Sequence, residues 1–87
     1  MIRYRYEFKI EDKSIKILLF VKYQAHKLEL TGWIKPSDDG RYIMEIQGKD
    51  YLIETLIYRL KKKHYLNTSS LSKNEMPNVR EKGFYLV

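Results

Sequence analysis

The stretch from Leu28 to Lys63 constrains the fold of this 87-residue chain more than any other part. Residues 29–35 and 41–47 are each typical of a strand, and residues 36–40 between them, PSDDG, are dense in residues that favour turns. A hairpin is therefore predicted, and Gly40 suits a positive φ in its turn. An amphipathic helix is predicted next, from about Tyr51 to Lys62. Its apolar residues share one side at helical spacing: Ile53, Leu56, Ile57 and Leu60.

The two ends of the chain add further elements. Residues 2–10 alternate apolar and charged side chains, which predicts a half-buried strand. Ser14 can cap a helix that runs to about residue 28. The predicted apolar stripe of that helix is Leu18, Val21, Ala25 and Leu28. A short edge strand is predicted near residues 70–75, and a final strand is predicted at residues 83–87.

The element order is therefore β-α-β-β-α-β, with the short edge strand as an addition. This order predicts a ferredoxin-like α+β sandwich, in which an antiparallel sheet carries two helices on one face. A chain of this length has room for one domain, so we expect residues 1–87 to form a single domain. Trp33 is expected in the core, because its strand must bury a large residue against a helix.

The composition argues against several kinds of site. The chain has no cysteine, which excludes a disulfide framework and a thiolate nucleophile. Its two histidines are isolated in sequence, so neither a metal site nor a cofactor is expected. No apolar run approaches the roughly 20 residues that cross a bilayer, so we expect no membrane partner and a cytoplasmic location.

The formal net charge of +6 is partly concentrated in Lys61, Lys62 and Lys63. Such a basic patch could attract phosphate groups, either on a small ligand or on a nucleic acid. Cations are also favoured at the C-terminal end of a helix because they complement its dipole. The second explanation accounts for the three lysines without any ligand, and it is the one that we prefer.

Several short motifs carry a resemblance to a known family. The motifs are residues 30–34 (LTGWI), residues 39–41 (DGR), the pair Gln47-Gly48 and the pair Gly83-Phe84. In this order and at these spacings the chain resembles the acylphosphatases, most closely over residues 27–63. The resemblance implies the ferredoxin-like fold. It also implies a small intracellular enzyme that hydrolyses the carboxyl-phosphate bond of acyl phosphates without a metal or cofactor.

The residues that the resemblance would make catalytic are replaced in this chain. The family's phosphate loop, G-x-V-x-G-V-G-F-R, falls on residues 10–18, and none of its three glycines is present. Its arginine, which clamps the phosphate, corresponds to Leu18. Its asparagine, which positions the attacking water, corresponds to Pro36. Glu11 and Asp12 add negative charge where a phosphate would lie. The chain is therefore predicted to be a catalytically degenerate domain, a pseudoenzyme that acts by binding.

A first alternative keeps some acylphosphatase activity. Lys13, Ser14 and Lys16 lie around the predicted start of the first helix, where free backbone N–H groups favour an anion. Together they could bind a small phosphate-containing ligand. The competing explanation is that Ser14 only caps the helix while the two lysines are solvated. Glu11 and Asp12 favour the competing explanation, because they oppose an anion.

A second alternative is non-specific nucleic-acid binding, since the RNA-recognition motif shares the same element order. RNA-stacking aromatic residues must project from the sheet face away from the helices. The aromatic residues of the first strand lie on its apolar side, which is predicted to face the helices. The other side would offer Arg3, Arg5 and Lys9, which provide charge without a stacking surface. The sequence does not predict an oligomeric state.

Overall fold

A five-stranded sheet with two helices forms the part of the chain that the computed structural model describes, residues 1–9, 15–63 and 71–87. The elements are β1 (Ile2–Lys9), α1 (Ile15–Lys27), β2 (Thr31–Pro36), β3 (Arg41–Gly48), α2 (Asp50–Lys62), β4 (Ser72–Met76) and β5 (Phe84–Leu86). The strand order is β4-β1-β3-β2-β5. This arrangement confirms the predicted ferredoxin-like α+β fold.

The sheet is mixed, which corrects the expectation of a wholly antiparallel one. β1 pairs antiparallel with β3 and with β4, and β2 pairs antiparallel with β3. The pairing of β2 with β5 is parallel. The roles of the last two strands also differ from the prediction. The short strand β4 pairs with β1 at one edge of the sheet and is the last strand of the β-α-β-β-α-β unit. The terminal strand β5 is the additional strand and lies at the opposite edge, beside β2.

The helix-facing side of the sheet holds the hydrophobic core. α2 buries its predicted stripe in full: Ile53, Leu56, Ile57 and Leu60. α1 is turned slightly from its predicted orientation. It buries Ile17, Val21, Gln24 and Ala25. Leu18 and Leu28 of the predicted stripe are only partly buried and flank the core.

Trp33 does not lie in the core, contrary to the sequence-based expectation. Its neighbours Gly32 and Ile34 are buried on the helix-facing side, and successive strand residues alternate between faces. Trp33 is therefore on the outer face, by which we mean the sheet surface turned away from both helices. The prediction failed because it weighed the size of Trp33 above the alternation that Leu30 and Ile34, both buried, already indicated.

The chain between β4 and β5 crosses the outer face and covers part of it. The amide Nε2 of Gln47 donates a hydrogen bond to the carbonyl oxygen of Val79 at 2.9 Å, and the Val79 backbone N–H donates to Gln47 Oε1 at 2.9 Å. The guanidinium of Arg3 donates to Glu45 at 2.7 Å, to Gln47 at 3.2 Å, and to Glu81 in the crossing segment. Arg3 is therefore 2% exposed, although the sequence predicted it on an open surface.

Candidate functional site

The strand directions bring the two predicted family-equivalent positions, Leu18 and Pro36, to one end of the molecule. β1 and β2 both run opposite to β3, so their carboxyl ends lie at the same end of the sheet. Pro36 is the last residue of β2. α1 ends just before β2 begins, and its 13 residues span about 20 Å, so its first turn returns to the carboxyl end of β2. We call this end the site end.

The described side chains on the helix-facing side of the site end are mainly apolar. Leu18 lies in the first turn of α1, is partly buried and packs against the core. Pro36 is exposed and is paired with Tyr42, whose ring stacks on Phe8 with centroids 6.2 Å apart. Neither Leu18 nor Pro36 has a side-chain hydrogen-bond donor. These two positions can therefore exclude water but cannot bind a phosphate oxygen.

The hairpin turn next to Pro36 uses its polar groups internally. Asp39 Oδ1 accepts hydrogen bonds from the Ser37 hydroxyl at 2.7 Å and from the Arg41 backbone N–H at 3.2 Å. The Arg41 guanidinium lies 3.6 Å from Asp39 Oδ2. The hydrogen bond from Ser37 is the largest cause of the lowered pKa of Asp39. Gly40 has the positive φ that the sequence predicted, 81°. The turn therefore holds Arg41 beside a carboxylate.

The three anion-binding candidates are only partly described. Lys13 and Ser14 lie outside the described residues, as do Glu11 and Asp12. Lys16 lies in the first turn of α1, at the site end, and its side chain is exposed. A phosphate site formed by these three residues therefore stays a prediction.

The basic patch of Lys61, Lys62 and Lys63 lies at the same end of the molecule. β3 runs away from the site end, and α2 follows it and returns, so the last turn of α2 is at the site end. All three side chains are exposed. The ammonium of Lys62 lies 5.9 Å from the centroid of the Tyr58 ring. The structure thus brings Lys16 and the basic patch to one end, where they raise the local positive charge.

Two features are absent from the residues that the structure describes. Those residues contain no group of three or more histidine, cysteine, aspartate or glutamate side chains that could hold a metal ion. Neither of the described helices is long and apolar enough to cross a membrane.

A pair of outer-face aromatic residues was missed by sequence reasoning. Trp33 on β2 is paired with Tyr85 on β5, so both side chains lie on the same face of the sheet. The alternation around Ile34 could have placed Trp33 there, but the partner on β5 required the parallel pairing. This pairing joins residues far apart in the chain, which periodicity does not reveal.

Comparisons with known proteins agree on the family. The acylphosphatase family model matches residues 18–85, so the match begins at Leu18. An acylphosphatase from Geobacillus kaustophilus is 42% identical over 38 residues, which are 44% of this chain and 40% of that protein. The matching segment thus covers less than half of that relative.

Solved structures show the same fold. The crystal structure of an acylphosphatase from Bacillus subtilis superposes with a TM-score of 0.81 at 24% identity, covering 100% of this chain and 99% of that one. An acylphosphatase from Coxiella burnetii gives a TM-score of 0.82 at 18% identity, covering 99% and 92%.

Proposed function

Because the chain belongs to the acylphosphatase family, we propose that it is a catalytically degenerate member that acts by binding. The observation that carries this proposal is the pair of side chains at the site end, a leucine in the first turn of α1 and a proline at the end of β2. The fold of the family is kept, while the two groups that the chemistry requires are replaced.

Replacement of the phosphate clamp removes the main source of transition-state stabilisation. A guanidinium donates paired hydrogen bonds to phosphate oxygens in a geometry that other side chains do not reproduce. Leu18 offers no donor and instead packs against the core. Loss of a single donor aimed at the developing charge typically costs about 100- to 1,000-fold in rate.

Replacement of the water-positioning group removes a second, separate contribution. An asparagine side chain can hold a water molecule through its carbonyl and amide groups. Pro36 has neither group, and Tyr42, its partner on β3, already stacks on Phe8. The attacking water is therefore not oriented by this position, and the benefit of a fixed geometry is lost.

The charge near the site gives weak binding without catalysis. Lys16 and the basic patch lie at the site end, where they attract anions in general. They are exposed, so their attraction is screened by salt and fixes no orientation. We therefore expect a small phosphate-containing ligand to bind loosely and in a salt-dependent way.

The experiment that tests the proposal is an assay of acetyl phosphate hydrolysis by the purified chain. We expect a rate equal to the spontaneous one. The matched comparison restores the family's groups with five substitutions: Ile10→Gly, Ser14→Gly, Lys16→Gly, Leu18→Arg and Pro36→Asn. This variant should gain hydrolysis by at least about 100-fold, the typical contribution of one phosphate-directed donor.

The opposite result would support the first alternative, an enzyme that uses the lysines. Turnover by the unmodified chain, abolished by Lys16→Ala but kept by the exposed control Lys22→Ala, would contradict the proposal. Both positions are exposed lysines of α1, so the pair differs in location and not in chemistry.

A further inference from the structure

The outer face of the sheet carries two neighbouring aromatic side chains. Trp33 and Tyr85 are directly paired across β2 and β5. Tyr85 is 52% exposed, and Trp33 is partly exposed. Residues 77–83 cover the other end of this face, above Arg3 and Gln47. The exposed parts of these two rings can contact a planar ligand.

Two cationic side chains lie on the same face as these rings. The ammonium of Lys35 lies 5.5 Å from the centroid of the Trp33 ring. Arg5 lies on the same face in the row that contains Trp33, and its side chain is 36% exposed. Glu45 lies between Arg5 and Trp33 in this row. Its carboxylate is bound by the guanidinium of Arg3 at 2.7 Å and by that of Arg5 at 3.6 Å.

Further carboxylates on this face reduce its positive charge but leave a small positive balance. Glu7 on β1 is partly buried and lies opposite Ile43 of β3. Counting the charged groups on or beside this face, five cations stand against four carboxylates, a difference of +1: Arg3, Arg5, Lys9, Lys35 and Arg41 against Glu7, Glu45, Glu81 and Asp39. The whole chain carries a net charge of +6, which adds to the attraction for a polyanion.

We propose that this outer face binds single-stranded nucleic acid, with bases stacked on Trp33 and Tyr85 and phosphates bound by Lys35 and Arg5. Every base has a π-face that can stack on an aromatic ring, and cations beside the rings follow the backbone. A duplex cannot use the rings, because its bases are already stacked. The binding does not depend on the site end or on the absence of hydrolysis there.

A second copy of this chain is a less suitable occupant of the same face. Two copies would bring together surfaces of equal charge, each on a molecule of net charge +6. Like charges oppose such an association unless other contacts outweigh them. A nucleic acid removes this repulsion, since its phosphates carry the opposite charge.

The test is a fluorescence titration of the full chain with oligothymidylate of about 12 nucleotides, a typical length for one binding face. Trp33 is the one tryptophan in the sequence, so stacking on its ring should quench the emission in a saturable way. We expect a dissociation constant on the order of 10 µM at about 50 mM salt and clearly weaker binding at about 200 mM. A duplex of equal length should quench much less.

Two substitutions at exposed positions test the contacts without removing core residues. Tyr85→Ala should weaken binding about tenfold, the usual effect of losing one stacked base. Lys35→Glu should also weaken binding and reduce its dependence on salt. Tyr51→Ala is the matched control, because Tyr51 is also largely exposed, at 63%, but lies on α2, on the opposite side of the sheet. Circular dichroism verifies that each variant is folded.

Three results would overturn the proposal. The first is the absence of saturable quenching at low salt. The second is equal affinity of Tyr85→Ala and Tyr51→Ala for the oligonucleotide. The third is loss of binding in a Lys61→Glu, Lys62→Glu variant while Tyr85→Ala binds normally, which would move the interaction to the end of α2. Self-association without oligonucleotide, abolished by Tyr85→Ala, would instead identify a second copy as the occupant.

Discussion

At the level of single residues, Gly32 shows how a family motif can be a requirement of the backbone. Its φ is 141°, which side-chain-bearing residues rarely adopt. A Cβ at this position would overlap the carbonyl oxygen of Glu45 and lie 3.0 Å from the Cα of Ile46. The glycine therefore permits β2 to lie against β3. Its presence in the motif at residues 30–34 supports the fold and carries no information about catalysis.

The substitution Gly32→Ala should destabilise the protein by about 3 kcal/mol or more, because it combines backbone strain with a steric overlap. Gly83→Ala is the matched control. The nearest atom to its added Cβ would be the Tyr85 hydroxyl oxygen at 3.5 Å, an ordinary contact. Urea unfolding of both variants measures the difference. Equal free energies of unfolding for the two would contradict this explanation of Gly32.

Individual residues were predictable from sequence where local pattern decides their position. Gly40 was predicted with a positive φ because a tight turn requires one, and the structure confirms it. The burial of Arg3 was not predicted, because it depends on a contact with Glu81, which is 78 residues away in sequence. The position of Trp33 was predicted wrongly because its size was weighed above the alternation of Leu30 and Ile34.

At the level of elements, the strength of the apolar pattern decided the accuracy of the prediction. α2 has four large aliphatic residues on one side and a polar opposite side, so its buried face was unambiguous. α1 has apolar residues over much of its first two turns, including Ile15 and Leu19, which are exposed. Several orientations of α1 were therefore compatible with its sequence, and the buried stripe was predicted only in part.

The two final strands illustrate the limit set by long-range pairing. Both were predicted near their true positions, yet their roles in the sheet were exchanged. β4 is polar, and its position depends on pairing with β1, at the other end of the chain. Local periodicity does not contain this information. The crossing segment between the two strands is held instead by Arg3, Gln47 and Glu81.

The substitution Arg3→Ala should therefore destabilise the protein by about 3 kcal/mol, because it leaves Glu45 and Glu81 without their buried cation. Burial opposes the charge of Arg3, but the hydrogen bonds to Glu81 and Glu45 outweigh it and raise the pKa of the guanidinium. Hydrogen exchange at the Val79 amide should accelerate, since the crossing segment loses an attachment.

Arg5→Ala is the control for this prediction. Its guanidinium is partly exposed and contacts the same Glu45 at 3.6 Å, so its loss should cost at most about 1 kcal/mol. If thermal unfolding shows that Arg3→Ala costs no more than Arg5→Ala, the buried ion pairs do not anchor the segment.

At the level of the whole molecule, the motifs that identify the fold are not the residues that would carry out the chemistry. The order and spacing of short motifs were enough to identify the family, and the family match over residues 18–85 agrees. Those motifs lie in the β2–β3 hairpin and at the start of the last strand, and Gly32 shows how one of them serves the fold. The assignment of Leu18 and Pro36 rests on counting residues from Gly32-Trp33, and it stays a prediction.

The two proposals concern different parts of the molecule and can fail separately. The first places a lost anion pocket at the site end, between α1 and the end of β2. The second places a stacking surface on the outer face, around Trp33 and Tyr85. Sequence reasoning had discounted nucleic acid because no aromatic side chain was expected there. The parallel pairing of β2 with β5 supplies the two rings.

The most direct measurement of the central claim is an NMR titration of the isotope-labelled chain with inorganic phosphate at constant ionic strength. A working phosphate site at the start of α1 would bind the anion through its first-turn N–H groups. We predict no saturable shift of the amide signals of residues 15–18 at millimolar phosphate. Saturable shifts confined to those amides, with a submillimolar dissociation constant, would contradict the claim that the anion site is lost.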